Sequence, residues 1–189
     1  MSVAVPKGRK QVIATFGNPE LKGELNPTWE SKNLVYMDLP YKMRYAYDPT
    51  KPITRCRVHR LIAEPLEGAF QEIWDTARFE MKKKYGFNRK TADGKPDSAF
   101  YDTKTLEYLA SLGLDLFGGT FVYRPKTGYT TLSMHAFGIA IDIDPSHNVQ
   151  GTKGRMPSWV VKIFKKWGFT WGGTWAKRDD MHFQYATGC

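Results

Sequence analysis

The stretch Ser133–Asp144, which reads SMHAFGIAIDID, contains the clearest strand signal in the chain. From Ile139 onward an isoleucine stands at every second position, and Ala140, Asp142 and Asp144 fill the positions between. Because side chains alternate between the two faces of a strand, the isoleucines share one buried face and Asp142 points to the other. An ionised carboxylate aimed in this way by a hydrophobic strand needs a cation or hydrogen-bond donors.

Two of the four histidines stand where they could share an ion with this carboxylate. His135 precedes Asp142 by seven residues, and a turn predicted at Gly138 allows its side chain to fold back. His182 lies in a second predicted strand, on the face opposite the apolar residues of that strand. A His, Asp and His set suits Zn²⁺ and leaves the fourth tetrahedral position for water. Taken alone, each of these residues is more often structural than a ligand.

Composition predicts a single globular domain with a proper core. The chain has 189 residues, of which 41% are hydrophobic and 14% aromatic, and this length is sufficient to bury a core. Two cysteines, Cys56 and Cys189, make neither a disulfide framework nor a thiolate zinc site. We expect one domain over residues 1–189, with residues 1–60 forming an N-terminal extended segment packed on a catalytic core at residues 61–189.

The remaining segments mix helical and extended patterns. A helix is predicted from Glu64-Pro65 to just before Gly86, since apolar residues recur at helical spacing and proline is tolerated in the first turn. The other predicted elements are extended segments at 34–39 and 43–47, helices at 105–112 and 157–167, strands at 121–124 and 181–185, and a polar loop at 88–98. Together they predict an α+β fold, with helices packed against a small antiparallel sheet.

The net charge of +9 favours polyanionic partners: nucleic acid, an anionic lipid surface or an anionic cell-wall polymer. A solvated surface with surplus lysine is an equally good reading. The basic residues are scattered apart from the run Lys82–Lys84, and no nucleic-acid motif accompanies them. The N-terminus lacks the apolar core of a signal peptide, and no run approaches the roughly 18 apolar residues of a membrane span. We therefore expect synthesis in the cytoplasm without a signal peptide.

The combined motif resembles a known family. Ser133-x-His135-x-x-Gly138-x-Ala140-x-Asp142, followed by Asp179-x-x-His182-Phe183, is similar to the signature of zinc D-alanyl-D-alanine carboxypeptidases and L-alanyl-D-glutamate peptidases. This family of LAS-type metallopeptidases includes VanY-type enzymes and several phage endolysins. The resemblance extends upstream to Arg124 and to residues 168–175, and covers roughly residues 60–185.

The resemblance implies a zinc site in a cleft on the sheet, with His135, Asp142 and His182 as the metal ligands. It also implies that Asp179 is the catalytic carboxylate, which takes a proton from the attacking water and delivers one to the leaving amine. The adjacent Asp180 is an alternative base.

Substrate contacts are implied at two further positions. Arg124 matches an arginine that steadies a substrate carboxylate or the developing oxyanion charge. Ser133 matches a residue beside the site that can hydrogen-bond substrate. Gln184 departs from the family, which often has Glu there, so any supporting role of that position stays open.

Several other residues near the motif receive structural or open interpretations. Asp144 is expected to be structural more often than functional, and His59 and His147 are expected not to bind metal. Trp171 and Trp175 could either wall the cleft or pack in the core.

The resemblance implies a zinc-dependent peptidoglycan peptidase that hydrolyses a stem-peptide bond, as an L-alanyl-D-glutamate endopeptidase or a D-alanyl-D-alanine carboxypeptidase. A wall substrate and a cytoplasmic-looking N-terminus fit a phage lysis or virion-associated enzyme, expected to be monomeric, that reaches the wall after release or within a virion. Its positive charge would favour anionic envelope polymers. The alternative is a non-enzymatic basic nucleic-acid-binding protein, and a third possibility is a degenerate family member that keeps only the fold.

Overall fold

The computed structural model describes residues 3–189 and contains one six-stranded sheet and one two-stranded sheet. In the six-stranded sheet the order is β4-β3-β5-β6-β8-β7, and every neighbouring pair is antiparallel except β3 and β5. The strands are β1 (Glu20–Leu21), β2 (Glu24–Leu25), β3 (Leu34–Tyr45), β4 (Asp48–His59), β5 (Leu116–Gly119), β6 (Ala140–Ile143), β7 (Thr170–Trp171) and β8 (His182–Gln184). The large sheet is therefore mixed, not purely antiparallel as predicted.

Five α-helices complete the described part of the chain, and the predicted α+β class is confirmed. The helix α3 packs against β3, α4 and α5, and its buried face includes Leu66, Phe70 and Ile73 at helical spacing. The helices are α1 (Gly8–Phe16), α2 (Pro27–Asn33), α3 (Ala63–Tyr85), α4 (Ser98–Ser111) and α5 (Ser158–Lys166), with two short 3₁₀ helices at Met134–Phe137 and Gly172–Thr174.

The strand β6 lies inside the sheet between β5 and β8, as its alternating pattern requires. Ile139, Ile141 and Ile143 are fully buried, and they belong to one core cluster that extends from Val12 in α1 to Ala186. Burial of the isoleucine face sets the orientation of the whole strand, so Asp142 faces away from this core. The register then places Asp142 directly opposite His182 of β8.

The strand predicted at 121–124 is wrong. The strand in this region is β5, which ends at Gly119, where the backbone φ is +127°. After it, the Val122 amide donates to the carbonyl of His135, and the carbonyl of Arg124 accepts from Ser133. The segment therefore uses its backbone groups to pair with the 3₁₀ turn, not with the sheet.

The helix predicted at 105–112 begins seven residues earlier, at Ser98. The Asp97 side chain accepts a hydrogen bond from the Phe100 amide and caps the first turn. The polar loop predicted at 88–98 is correspondingly shorter, because its last residues belong to the cap and the helix.

The N-terminal third is less extended than predicted, since it contains α1 and α2 as well as the hairpin of β3 and β4. Asn26 caps α2 through its side chain, and the Trp29 indole donates to the carbonyl of Phe16, which joins the two helices. Met1 and Ser2, on which the expectation about a signal peptide partly rests, lie outside the described residues. Among residues 3–189, no helix combines the length and apolar character needed to cross a membrane.

Candidate metal centre and catalytic site

Three structural elements bring the predicted ligands together. Asp142 and His182 face each other across the β6–β8 pair, and His135 comes from the 3₁₀ turn just before β6. Gly138 ends that turn with a φ of +66°, and a Cβ there would lie 2.8 Å from Leu34 and 2.9 Å from the backbone nitrogen of His59. Only glycine fits both the left-handed backbone and this close approach.

The three side chains converge to short distances. His182 Nδ1 lies 2.9 Å from Asp142 Oδ1, and His135 Nε2 lies 3.2 Å from Asp142 Oδ2. The two ring nitrogens are themselves 3.2 Å apart. A tetrahedral zinc ion bound at about 2.0–2.1 Å places its ligand atoms about 3.3 Å from one another. The three distances between the side-chain atoms are thus close to the distance expected between two ligand atoms of a tetrahedral zinc ion.

In each imidazole, the ring nitrogen that faces away from Asp142 donates a hydrogen bond to an oxygen; we call it the outer nitrogen. His135 Nδ1 donates to the carbonyl of Thr120 at 2.6 Å, and His182 Nε2 donates to Oε1 of Gln184 at 3.1 Å. The Gln184 amide is oriented in turn by donation from its Nε2 to the carbonyl of Ala186. When it is neutral, with its proton on the outer nitrogen, each imidazole turns a lone pair inward; without a cation, the same inward nitrogens can instead be protonated and bond to Asp142. In the neutral form, two lone pairs and a carboxylate face one another, and this donor set fits a zinc ion.

Electrostatics within the trio favour an ionised carboxylate. Burial raises the pKa of Asp142, but the charges and hydrogen bonds of His135 and His182 outweigh this effect and hold its pKa well below the ordinary value. For His182, burial lowers the pKa, but the hydrogen bond and charge of Asp142, together with Asp179 and Gln184, raise it more strongly. Both effects favour the ionised form of Asp142 beside His182.

Asp179 lies beside the trio and has the properties of a proton carrier. It is 8% exposed; its Oδ2 accepts from Gln150 Nε2 at 2.8 Å, and its Oδ1 has no hydrogen-bond partner among residues 3–189. Burial raises the pKa of Asp179, with a further rise from Asp142, while His182 and the Gln150 hydrogen bond act in the opposite direction. A buried carboxylate with one free oxygen and a raised pKa suits general acid and base chemistry.

Asp180 and Asp144 are held by other partners. Asp180 is buried, its Oδ1 lies 2.6 Å from Arg178 Nε, and its Oδ2 accepts from the Gly154 amide. Asp144 bonds to His147 Nδ1 at 2.7 Å and to Arg155 Nε at 3.1 Å. His59, also outside the trio, bonds through Nε2 to the carbonyl of Phe16.

A cavity of about 380 Å³ opens onto the trio and Asp179. Arg124 and Ser133 line it, together with Trp175, whose ring centroid lies 5.3 Å from that of His182. Ser133 is buried, and its Oγ accepts from the His135 amide at 3.3 Å, so it also caps the 3₁₀ turn. Trp171, in contrast, donates its indole N–H to the carbonyl of Asp180 and packs against the core.

Sequence reasoning missed four residues at this site. Thr120 contributes only its backbone carbonyl, which accepts from His135. Because every residue type has this group, the sequence gives no signal for it. Gln150 lies 29 residues before Asp179 in a loop, and no local pattern connects them. Lys126 and Lys177 line the same cavity as Arg124 and make it basic, but they were not distinguishable among the scattered lysines.

The comparisons with known proteins agree with this geometry. Residues 127–185 match the sequence model of a family described as D-alanyl-D-alanine carboxypeptidase. No curated protein and no solved structure gave a significant match. The matched segment contains His135, Asp142, Asp179 and His182, and Arg124 lies just before it. Over this segment, the chain is similar to the D-alanyl-D-alanine carboxypeptidase family, and this match supports the resemblance that its histidine and aspartate motifs predicted.

Proposed function

We propose that this protein is a zinc-dependent peptidase that hydrolyses a bond in the stem peptides of peptidoglycan. The observation that carries the proposal is the convergence of two inward-facing imidazole nitrogens on the Asp142 carboxylate, within 2.9–3.2 Å, beside the free Oδ1 of Asp179. The match of residues 127–185 to the sequence model of a peptidase family supports it. Neither the structure of residues 3–189 nor the comparisons support the alternative of a nucleic-acid-binding protein.

His135, Asp142 and His182 would hold the metal ion. Zinc bound by three protein ligands lowers the pKa of a water molecule and polarises a carbonyl group. The protein holds the three ligands in place through the outer hydrogen bonds to Thr120 and Gln184, which fix both imidazole rings before any ion binds.

Asp179 transfers the protons. Its Oδ1 accepts a proton from the attacking water as the water oxygen bonds to the scissile carbonyl carbon. The same carboxyl group then delivers this proton to the amine that leaves as the C–N bond breaks. During both steps Gln150 holds Oδ2, and Oδ1 has no competing hydrogen bond among the described residues.

Positive side chains select the substrate. Arg124 donates to a substrate carboxylate or to the developing oxyanion, and Ser133 is placed to hydrogen-bond the peptide. Lys126 and Lys177 line the same cavity, so its three cations suit a substrate that carries carboxylates. Stem peptides satisfy this condition at D-glutamate and at the terminal D-alanine.

The proposal covers two bonds, the L-alanyl-D-glutamate bond cut by an endopeptidase and the D-alanyl-D-alanine bond cut by a carboxypeptidase. We propose a monomeric phage lysis or virion-associated enzyme that reaches the wall after release or within a particle. The net charge of +9 supports contact with anionic envelope polymers.

Digestion of purified peptidoglycan, followed by mass spectrometry of the released fragments, tests the function. A new amino terminus on D-glutamate identifies the endopeptidase, and loss of one terminal D-alanine identifies the carboxypeptidase. His182→Ala should lose zinc and activity together. If the protein loaded with zinc leaves both bonds intact, the substrate assignment is refuted, and if the wild-type chain binds no zinc, the metal assignment is refuted.

A further inference from the structure

The C-terminal end of α3 and the loop after it carry a surface that the proposed function does not use. Phe79, Tyr85 and Phe87 are 53%, 40% and 54% exposed. The rings of Phe79 and Phe87 pack edge to face with centroids 5.6 Å apart, across the turn at Gly86, where φ is +89°. We name this surface the aromatic-basic patch and define it by Phe79, Lys83, Lys84, Tyr85, Phe87 and Arg89.

Positive charge is concentrated at the same place. Residues 78–97 contain seven Lys and Arg against three Asp and Glu, a net +4 of the +9 for the whole chain. The ammonium groups of Lys83 and Lys84 lie 5.9 Å and 5.2 Å from the ring centroids of Phe79 and Tyr85. Cations in the last turn of α3 also stabilise the helix dipole, but this effect does not account for exposed phenyl rings beside them.

We propose that the aromatic-basic patch docks the protein on an anionic lipid bilayer. Aromatic rings partition into the boundary between headgroups and acyl chains, and lysines beside them reach the phosphate level. Each basic residue near an anionic membrane surface adds about 1 kcal/mol of attraction. The exposed rings and the surrounding cations of the patch supply both contributions in one short segment.

Two other polyanions fit the patch less well. A phosphate-rich polymer would pair with the cations but offers no apolar phase for Phe79 and Phe87. Single-stranded nucleic acid would stack its bases on open ring faces, whereas cations lie over the rings of Phe79 and Tyr85. None of the six patch residues lines the cavity at the metal centre, so the proposal is independent of the peptidase chemistry.

Co-sedimentation of the full chain with vesicles tests the proposal. Vesicles of phosphatidylcholine with about 30 mol% phosphatidylglycerol should bind the wild type in a salt-dependent way, and pure phosphatidylcholine should bind it weakly. Phe79→Ser/Phe87→Ser should weaken partitioning at least ~10-fold, because the rings no longer enter the interface. Lys83→Glu/Lys84→Glu should weaken it similarly and flatten the salt dependence.

Matched changes elsewhere on the surface are the controls. Leu21→Ser/Tyr36→Ser removes side chains that are 53% and 65% exposed, and Lys10→Glu/Lys153→Glu makes the same charge change at other exposed sites. Both controls should lose less than ~3-fold in partitioning. Circular dichroism checks the fold of every variant, and Phe87→Ser alone, beyond the helix end, replaces the double change if that variant is unfolded.

Three results would overturn the proposal. The first is wild-type protein that sediments no better with anionic than with neutral vesicles. The second is a control pair that loses as much binding as the patch variants. The third is a Phe79→Ser/Phe87→Ser variant that keeps vesicle binding but loses binding to a labelled oligonucleotide or to polyphosphate, which would assign the patch to that polymer.

Discussion

Substitution of Gln184 tests whether the hydrogen bond from His182 Nε2 to Gln184 Oε1 prepares that imidazole to bind a metal ion. Gln184→Leu removes the acceptor that lies 3.1 Å from Nε2 of a histidine only 7% exposed, so water has little access to replace it. An unpaired buried N–H costs about 1–3 kcal/mol, which is about 5- to 150-fold in a dissociation constant. Loss of such outer hydrogen bonds weakens metal sites about 10- to 100-fold. We expect the zinc Kd of Gln184→Leu to rise by about one to two orders of magnitude.

Competition with a chromophoric chelator at neutral pH measures this Kd. Gln184→Glu, which keeps an acceptor oxygen and adds negative charge, should bind zinc at least as tightly as the wild type. Gln150→Leu is the matched control, because this glutamine lines the same cavity but bonds to Asp179 and not to a ligand. Excess zinc should restore the turnover of Gln184→Leu. The reasoning fails if Gln184→Leu, folded by circular dichroism, binds zinc as tightly as the wild type.

Three further predictions use other parts of the structure. Asp179→Asn should keep zinc but lose about 10²- to 10⁴-fold in turnover, as measured by metal content and product release, because the proposed general base is gone. Gly138→Ala should destabilise the protein by more than about 1 kcal/mol in urea unfolding, because φ is +66° and the new Cβ would lie 2.8 Å from Leu34; Gly151→Ala, with φ +86° and no atom within 4 Å, is the control and should cost less. Burial lowers the pKa of His59 to about 4 from 6.5; the unfolded chain therefore binds more protons, and stability should fall by up to about 3 kcal/mol as pH drops from 6.5 to 4. Urea unfolding across this range checks the sign, and His59→Gln, with no group to titrate there, should show a smaller decline.

The orientation of Asp142 could be predicted from sequence because it depends on one local rule. An alternating strand with a buried isoleucine face has only one register that keeps the core intact. The structure places Ile139, Ile141 and Ile143 in the core and Asp142 opposite His182, as this rule requires. The spacing of the two histidines alone was weak evidence for a metal site. Their prediction as ligands depended on the combined motif.

Other parts of the site depend on contacts that no local pattern reveals. Phe121–Arg124 has the composition of a strand, yet its backbone pairs with the turn that carries His135. This pairing brings Arg124 to the cavity, and the neighbouring Thr120 contributes a carbonyl that every residue type possesses. The conformation of Phe121–Arg124 therefore follows from tertiary hydrogen bonds and not from the strand propensity of its residues.

The two carboxylates of the site have opposite environments, and this difference separates their proposed roles. Both oxygens of Asp142 face imidazole nitrogens, which keep its pKa low and suit it to hold a cation. Asp179 has a pKa raised by burial and one oxygen without a partner among the described residues, so it can take up and release a proton. Environments that push two carboxyl pKa values apart are typical of sites where one group stays charged and the other exchanges protons. Asp180 is less suited than Asp179 to the proposed role, because its oxygens already face Arg178 and the Gly154 amide. The loss of turnover expected for Asp179→Asn should therefore not be rescued by the carboxylate next to it.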